Sequence, residues 1–140
     1  MATPTTPPID QVADERLRTD LVGWLTTVAR DGTPQSSPVA FVWDGEVITV
    51  WSEPGAAKVA NLVENHRCSF HLNSDRHGLA VVSVEGTVHL PPDGPRWNEV
   101  PAAVGKYAEV FGPAWGMDMD ESAEQFRQQI VITPRRIRVW

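Results

Sequence analysis

Two closely spaced Asp-Gly pairs, Asp31-Gly32 and Asp44-Gly45, restrict this chain more than any other feature. Each falls between short runs rich in β-branched and aromatic residues. Asp-Gly is the dipeptide that suits a tight hairpin turn, because such turns need left-handed backbone at their centre. The flanking runs are therefore predicted as strands: Leu21 to Ala29, then Gln35 to Trp43, then Glu46 to Trp51. In the second, Val39, Phe41 and Trp43 alternate onto one face. Three successive antiparallel strands leave no room for the regular strand–helix alternation of a doubly wound parallel sheet.

The remaining pattern continues this architecture. Ile9 to Asp20 carries Ile9, Val12, Ala13 and Leu17 at helical spacing and reads as a short amphipathic helix. Pro54-Gly55 ends the third strand. Ala57 to Asn65 reads as a helix with Val59, Leu62 and Val63 on one side. Arg67 to Leu72 is a fourth strand, followed by the polar loop Asn73 to Gly78. Leu79 to Leu90 is a long fifth strand in which Gly86 marks a bulge, and the proline-rich run from Pro91 to Pro95 breaks it. Trp97 to Phe111 is predicted helical, ended by Gly112-Pro113. Ser122 to Arg127 is a second short helix, capped by Asp120 or Ser122. Gln129 to Trp140 returns to strand character, interrupted at Thr133-Pro134. About six strands with a few short helices describe a small, mainly β, mostly antiparallel barrel.

With 140 residues, one domain is expected. Residues 1–8, polar and rich in proline, read as a flexible N-terminal tail without the basic start and apolar core of a signal peptide. Residues 9–140 form the domain. A formal charge of −6 and a pI near 5.1 argue against a nucleic-acid partner and against a basic membrane-surface protein. No apolar run approaches the ~20 residues needed to cross a bilayer. Cys68 is the sole cysteine, so no internal disulfide forms and a reducing, cytoplasmic setting fits.

In so acidic a chain, an anionic ligand must be held by a few placed donors. Lys58 falls in the first turn after Pro54-Gly55, where a helix start offers unpaired N–H groups and a positive dipole end. With the Ser52 hydroxyl it makes a compact phosphate site; the plain alternative is a solvated surface lysine. Gln35, Ser36, Ser37, Pro38 and Val39 are the second feature. Pro38 removes a ladder donor, and small polar neighbours leave backbone free to meet a heteroaromatic ring; the plain alternative is an ordinary edge strand. Of six tryptophans, Trp51 is placed beside a ring. Trp140 is either a frayed end or a packing element at a subunit contact. His66, His71, His77 and His89 lack metal-ligand spacing, so no metal is expected; His71 and His89 are read as facing each other across strands. No GxSxG or GxxxxGK[ST] motif is present, and no catalytic acid–base or nucleophile set emerges. Cys68 reads as inert core, and the acids Asp118, Asp120, Glu121 and Glu124 as a helix-terminal charge run.

These residues carry a resemblance. Trp24-Leu25-Thr26-Thr27-Val28, the stretch from Asp31 to Val39, and Trp43-Asp44-Gly45 resemble the opening of the pyridoxamine 5'-phosphate oxidase-like split β-barrel family. Ser52 to Leu62 resembles its phosphate-binding turn and helix, Val84 to Val88 its long fifth strand, and Ile132 to Trp140 its closing strand. Within that family the chain is similar to the actinobacterial branch that uses the deazaflavin coenzyme F420. The resemblance implies a split β-barrel and a homodimer with cofactor sites between subunits. Lys58 and Ser52 would hold the phosphate, while Gln35 to Val39, Val50 and Trp51 would line the ring, with Asn61 at the matching helix position or serving as a structural amide. It implies an F420-dependent oxidoreductase that passes a hydride to a small unsaturated or conjugated organic substrate. FMN-binding oxidoreduction on the same barrel, or non-catalytic binding of a cofactor or tetrapyrrole, are the alternatives. Ala56 and Ala57 stand where related chains carry basic or polar residues, which shifts the anion's charge partners toward Arg67, Arg76 or Lys106. The chain ends at Trp140 without the extension that binds the vitamin substrate, so pyridoxamine phosphate oxidase activity is not expected.

Overall fold

The computed structural model describes residues 9–110 and 114–140. The N-terminal tail and the predicted Phe111 helix end with its Gly112-Pro113 stop lie outside them. The elements run α1 (Gln11–Thr19), β1 (Gly23–Val28), β2 (Pro34–Val39), β3 (Phe41–Trp43), β4 (Ile48–Ser52), α2 (Ala57–Glu64), β5 (Arg67–Leu72), β6 (Val82–His89), α3 (Pro101–Val110), α4 (Met119–Gln125) and β7 (Gln128–Val139). A single 3₁₀ turn at Trp97–Glu99 precedes α3.

Both Asp-Gly turns form. Gly32 and Gly45 have φ of 92° and 98°, which side-chain-bearing residues adopt only at a cost. The Asp31 carboxylate accepts from the Thr33 N–H, and Asp44 accepts from the N–H groups of Glu46 and Val47. These bonds turn the chain locally and set the registers Trp24↔Pro38 and Val42↔Thr49.

All seven strands pair antiparallel in the order β2-β1-β5-β6-β7-β4-β3. The predicted second strand divides at Ala40, so there is one strand more than the sequence pattern suggests. Its halves, β2 and β3, sit at opposite ends of this order although one residue separates them. Laid flat, six interstrand steps of ~4.8 Å would part them by roughly 29 Å. Two peptide units reach only about 7 Å. The sheet therefore curls until its two ends meet at Ala40, and the fold is a split β-barrel.

Inside the barrel lie Leu25, Phe41, Ile48, Val50, Phe70, Leu72, Val84, Ile130 and Ile132, all at most 1% exposed. Leu17 of α1 and Leu62 of α2 pack into the same core. Cys68 belongs to this core, and burial pushes its thiol up to about 12, as an inert cysteine requires. The bulge foreseen at Gly86 is present: Glu85 pairs with Arg136 and Gly86 with Pro134, which leaves Arg135 as the extra residue. A Cβ at Gly86 would lie 2.9 Å from the Thr133 carbonyl oxygen, so only glycine fits. The expected break at Thr133-Pro134 is instead this bulge within a continuous β7. A proline is tolerated there because the ladder is already interrupted.

The barrel's seam leaves Phe41 with backbone groups that need partners. The Tyr107 hydroxyl of α3 accepts from the Phe41 N–H at 2.9 Å, and its own proton serves the carbonyl of Leu21 at 2.7 Å or of Phe41 at 3.0 Å. Lys106 Nζ donates to the Phe41 carbonyl at 3.0 Å and lies 3.8 Å from the centroid of the Phe41 ring. Burial lowers the Lys106 ammonium to about 8, with Asp20 opposing. Between about pH 8 and the unfolded lysine value of 10.5, the unfolded chain thus binds more protons at this site than the native one. Its contribution to stability rises with pH through that window. The stability of the protein relative to its Lys106→Met variant is expected to increase from pH 8 to 10.5 in denaturant titrations; a difference independent of pH would contradict the burial of this ammonium.

Candidate functional site

A cavity of about 590 Å³ opens where the barrel closes on itself. One wall is the seam: Pro38, Val39, Ala40 and Phe41, with Val22 behind them. The opposite wall is the excursion between β6 and β7, which contributes Trp97, Tyr107, Trp115, Met117 and Phe126. Trp51 and Ser52 at the end of β4, then Glu53, Ala56 and Lys58, form the end between them.

Local rules explain each placement. Trp51 follows from β4 alternation, which turns Val50 into the barrel and Trp51 outward. Its indole N–H donates to the Pro95 carbonyl at 2.9 Å, so the ring shows carbon to the cavity. Tyr107 does the same, because its hydroxyl is committed to the seam. Burial pushes that phenol up to about 12, so it keeps its proton. Lys58 is half-buried in the first turn of α2 and makes no hydrogen bond or ion pair with any described residue. Ala56 caps the helix without a side-chain acceptor, so the first N–H groups of α2 stay open as well.

The expected site residues divide into two groups. Pro38, Val39, Trp51, Ser52 and Lys58 meet around the cavity. Gln35, Ser36, Ser37, Val50 and Asn61 do not line it. Val50 is fully buried in the barrel core. Asn61 donates to Thr27 Oγ1 at 3.0 Å and to Gln35 Oε1 at 2.8 Å, the bonds of a structural amide tying α2 to the first hairpin. Ser36 shares a 2.6 Å hydrogen bond with Thr26. The Ser52 hydroxyl donates to the Glu53 carbonyl at 3.0 Å. Of the cations proposed to compensate for Ala56 and Ala57, none lines the cavity: Lys106 is bound to the seam, Arg67 is exposed on β5, and Arg76 donates to His77.

From sequence the segment between Trp97 and Gly116 is expected to line the pocket, without a position in the fold; Trp97, Tyr107 and Trp115 do line it, and Met117, Ser122 and Phe126 extend the wall beyond that segment. The wall's last helix begins earlier than predicted, at Met119, because Asp118 accepts from the N–H groups of Asp120 and Glu121. Ser122 therefore lies inside α4 and faces the cavity instead of capping the helix. The signal available was Asp118 followed three residues later by Glu121, an N-terminal pattern. One other expectation is corrected. His71 pairs with Ser83 and His89 with Val131, so the two histidines do not meet; His71 stacks on Trp24 instead. A second concavity, of about 300 Å³, lies beside His71, Ser83 and Trp140. The Trp140 backbone pairs with Val81 in both directions while its side chain is 61% exposed. Among the described residues no group of three or more metal-ligating side chains assembles, and no helix is long and apolar enough to cross a membrane.

Comparison with solved structures returns the same barrel. An F420 reductase superposes with a TM-score of 0.74 at 25% identity, covering 93% of this chain and 98% of that one. HupZ of Group A Streptococcus gives 0.66 at 17% identity, with coverages of 93% and 92%. A FAD-binding protein of Mesorhizobium loti gives 0.61 at 16% identity, with coverages of 92% and 90%. The sequence pattern described as pyridoxamine 5'-phosphate oxidase matches residues 9–140. The chain belongs to the pyridoxamine 5'-phosphate oxidase family.

Proposed function

We propose that this protein is a cytoplasmic, homodimeric F420-dependent oxidoreductase acting on a small unsaturated or conjugated organic molecule. The observation that carries the reading is an unpaired, half-buried lysine at the end of a flat-walled apolar cavity. That donor set fits a planar ring joined to an anionic tail. Lys58 and the open N–H groups of α2 suit the phosphate, joined by Ser52 once its hydroxyl rotates from the Glu53 carbonyl. Pro38, Val39 and Trp51 suit the ring. The likeness to an F420 reductase at 25% identity supports the deazaflavin over other carriers.

Reduced deazaflavin, when bound, supplies a hydride. The chain's own residues supply position and a dry setting. Trp97, Tyr107, Met117 and Phe126 give the cavity apolar surface against which a bound ring would displace water, and Trp51 is fixed by Pro95. Tyr107 holds its proton across the working pH range and does not act as an acid.

FMN is the competing carrier, since a ribityl phosphate meets the same lysine. Calorimetric titration with F420 and FMN side by side is expected to show the tighter binding for F420; a preference for FMN would transfer the assignment. Lys58→Ala is expected to weaken F420 binding by about 1–3 kcal/mol, the loss of a charge-assisted contact, and unchanged affinity would remove Lys58 from the site. The exposed Leu79, Val139 and Trp140 support a subunit contact. Light scattering at micromolar concentration is expected to give twice the chain mass, and a monomer would refute the dimer.

A further inference from the structure

One polar group in the cavity is unused by the reading above. Ser122 is 3% exposed and lines the cavity from the wall opposite the seam. Its hydroxyl makes no hydrogen bond with any described residue, yet it is not sealed from solvent. Water can satisfy it in the open cavity, but a ligand that fills the cavity displaces that water and must either supply a partner or leave the hydroxyl unpaired at a cost.

Its helix is held firmly for so short an element. Asp118 caps α4, Gln125 donates to Glu53 at 2.7 Å, Asn98 donates to Asp120 at 3.2 Å, and Arg96 pairs with Glu124. These bonds tie α4 both to the end of β4 and to the turn before α3, so Ser122 has a fixed position. The side chains around it are Trp97, Trp115, Met117 and Phe126. Among the described lining residues the ionisable groups are Lys58, Glu53 and Tyr107. Lys58 is assigned to the phosphate, Glu53 is engaged by Gln125, and the Tyr107 hydroxyl is turned to the seam. Beside the indoles of Trp97 and Trp115, this wall thus offers flat carbon surface and one hydroxyl, and among its described residues there is no cation to receive a carboxylate.

We propose that Ser122 donates a hydrogen bond to a carbonyl oxygen of the substrate, and that the part of the molecule this wall receives is uncharged. The proposal rests on the oxidoreductase reading for the word substrate, but its binding chemistry stands apart from the cofactor. A rigid hydroxyl facing aromatic surface orients one polar atom of an otherwise apolar molecule.

Calorimetry on the full chain without cofactor tests it, with 2-methyl-1,4-naphthoquinone, its carbonyl-free counterpart 2-methylnaphthalene, and the anionic 1,4-naphthoquinone-2-sulfonate. The neutral quinone is expected to bind tightest. Ser122→Ala is expected to weaken it about fivefold to tenfold, the range of one hydrogen bond, and to leave 2-methylnaphthalene unchanged; Ser122→Thr should restore most of the loss. Equal quinone affinity in the Ala variant, or tighter binding of the sulfonate, would overturn the proposal. So would a Ser122→Ala effect confined to F420 affinity, which would make the hydroxyl a cofactor contact. If F420 does not bind but the quinone pattern holds, the cofactor reading fails and this one survives.

Discussion

A single residue between two strands organises the molecule. Ala40 joins β2 to β3, and these strands stand at the two ends of a seven-stranded sheet. The chain cannot bridge an open sheet of that width, so the sheet must close. Closure is incomplete at this point, because backbone passing from one strand partner to another cannot satisfy both. The unpaired groups of Phe41 then need donors and acceptors from elsewhere. Tyr107 and Lys106 provide them, at the cost of burying an ammonium whose pKa falls to about 8.

The seam also explains where the site is. Pro38 to Phe41 form one wall of the cavity because they are the residues that leave the ladder. The helix that satisfies Phe41 is the same one that brings Tyr107 to the facing wall. Structural need and binding surface are therefore one arrangement: each seam bond that orients Tyr107 also hides its polar atom and leaves a carbon face. Among the described lining residues, Lys58 and Ser122 have an ammonium and a hydroxyl that make no hydrogen bond with the protein. One suits an anionic tail and the other a neutral oxygen, so the cavity distinguishes the two ends of what it holds.

Local features were legible in the sequence. Both Asp-Gly turns, the helix after Pro54-Gly55 and the Gly86 bulge each depend on a few neighbouring residues with restricted backbone choices. The division at Ala40 was not, since Val39, Phe41 and Trp43 alternate straight through it and nothing local marks a change of partner. Proline usually ends pairing, which predicts a break at Pro134, whereas the bulge opposite Gly86 absorbs it. The family resemblance implies Val50 beside the ring and Asn61 either at the site or as a structural amide; strand alternation turns Val50 into the core, and the Thr27–Asn61–Gln35 bonds are those of the structural amide. The second wall needed tertiary structure, because Trp97 to Phe126 meets the seam only once β6 and β7 have paired.

The central claim is that the place where the barrel closes is the place where the ring binds. Amide and indole chemical shifts followed during titration with F420 test it most directly. The account predicts the largest changes at Val39, Ala40, Lys58 and the Trp51 indole. Changes gathered instead around His71, Ser83 and Trp140, at the second concavity, would contradict it.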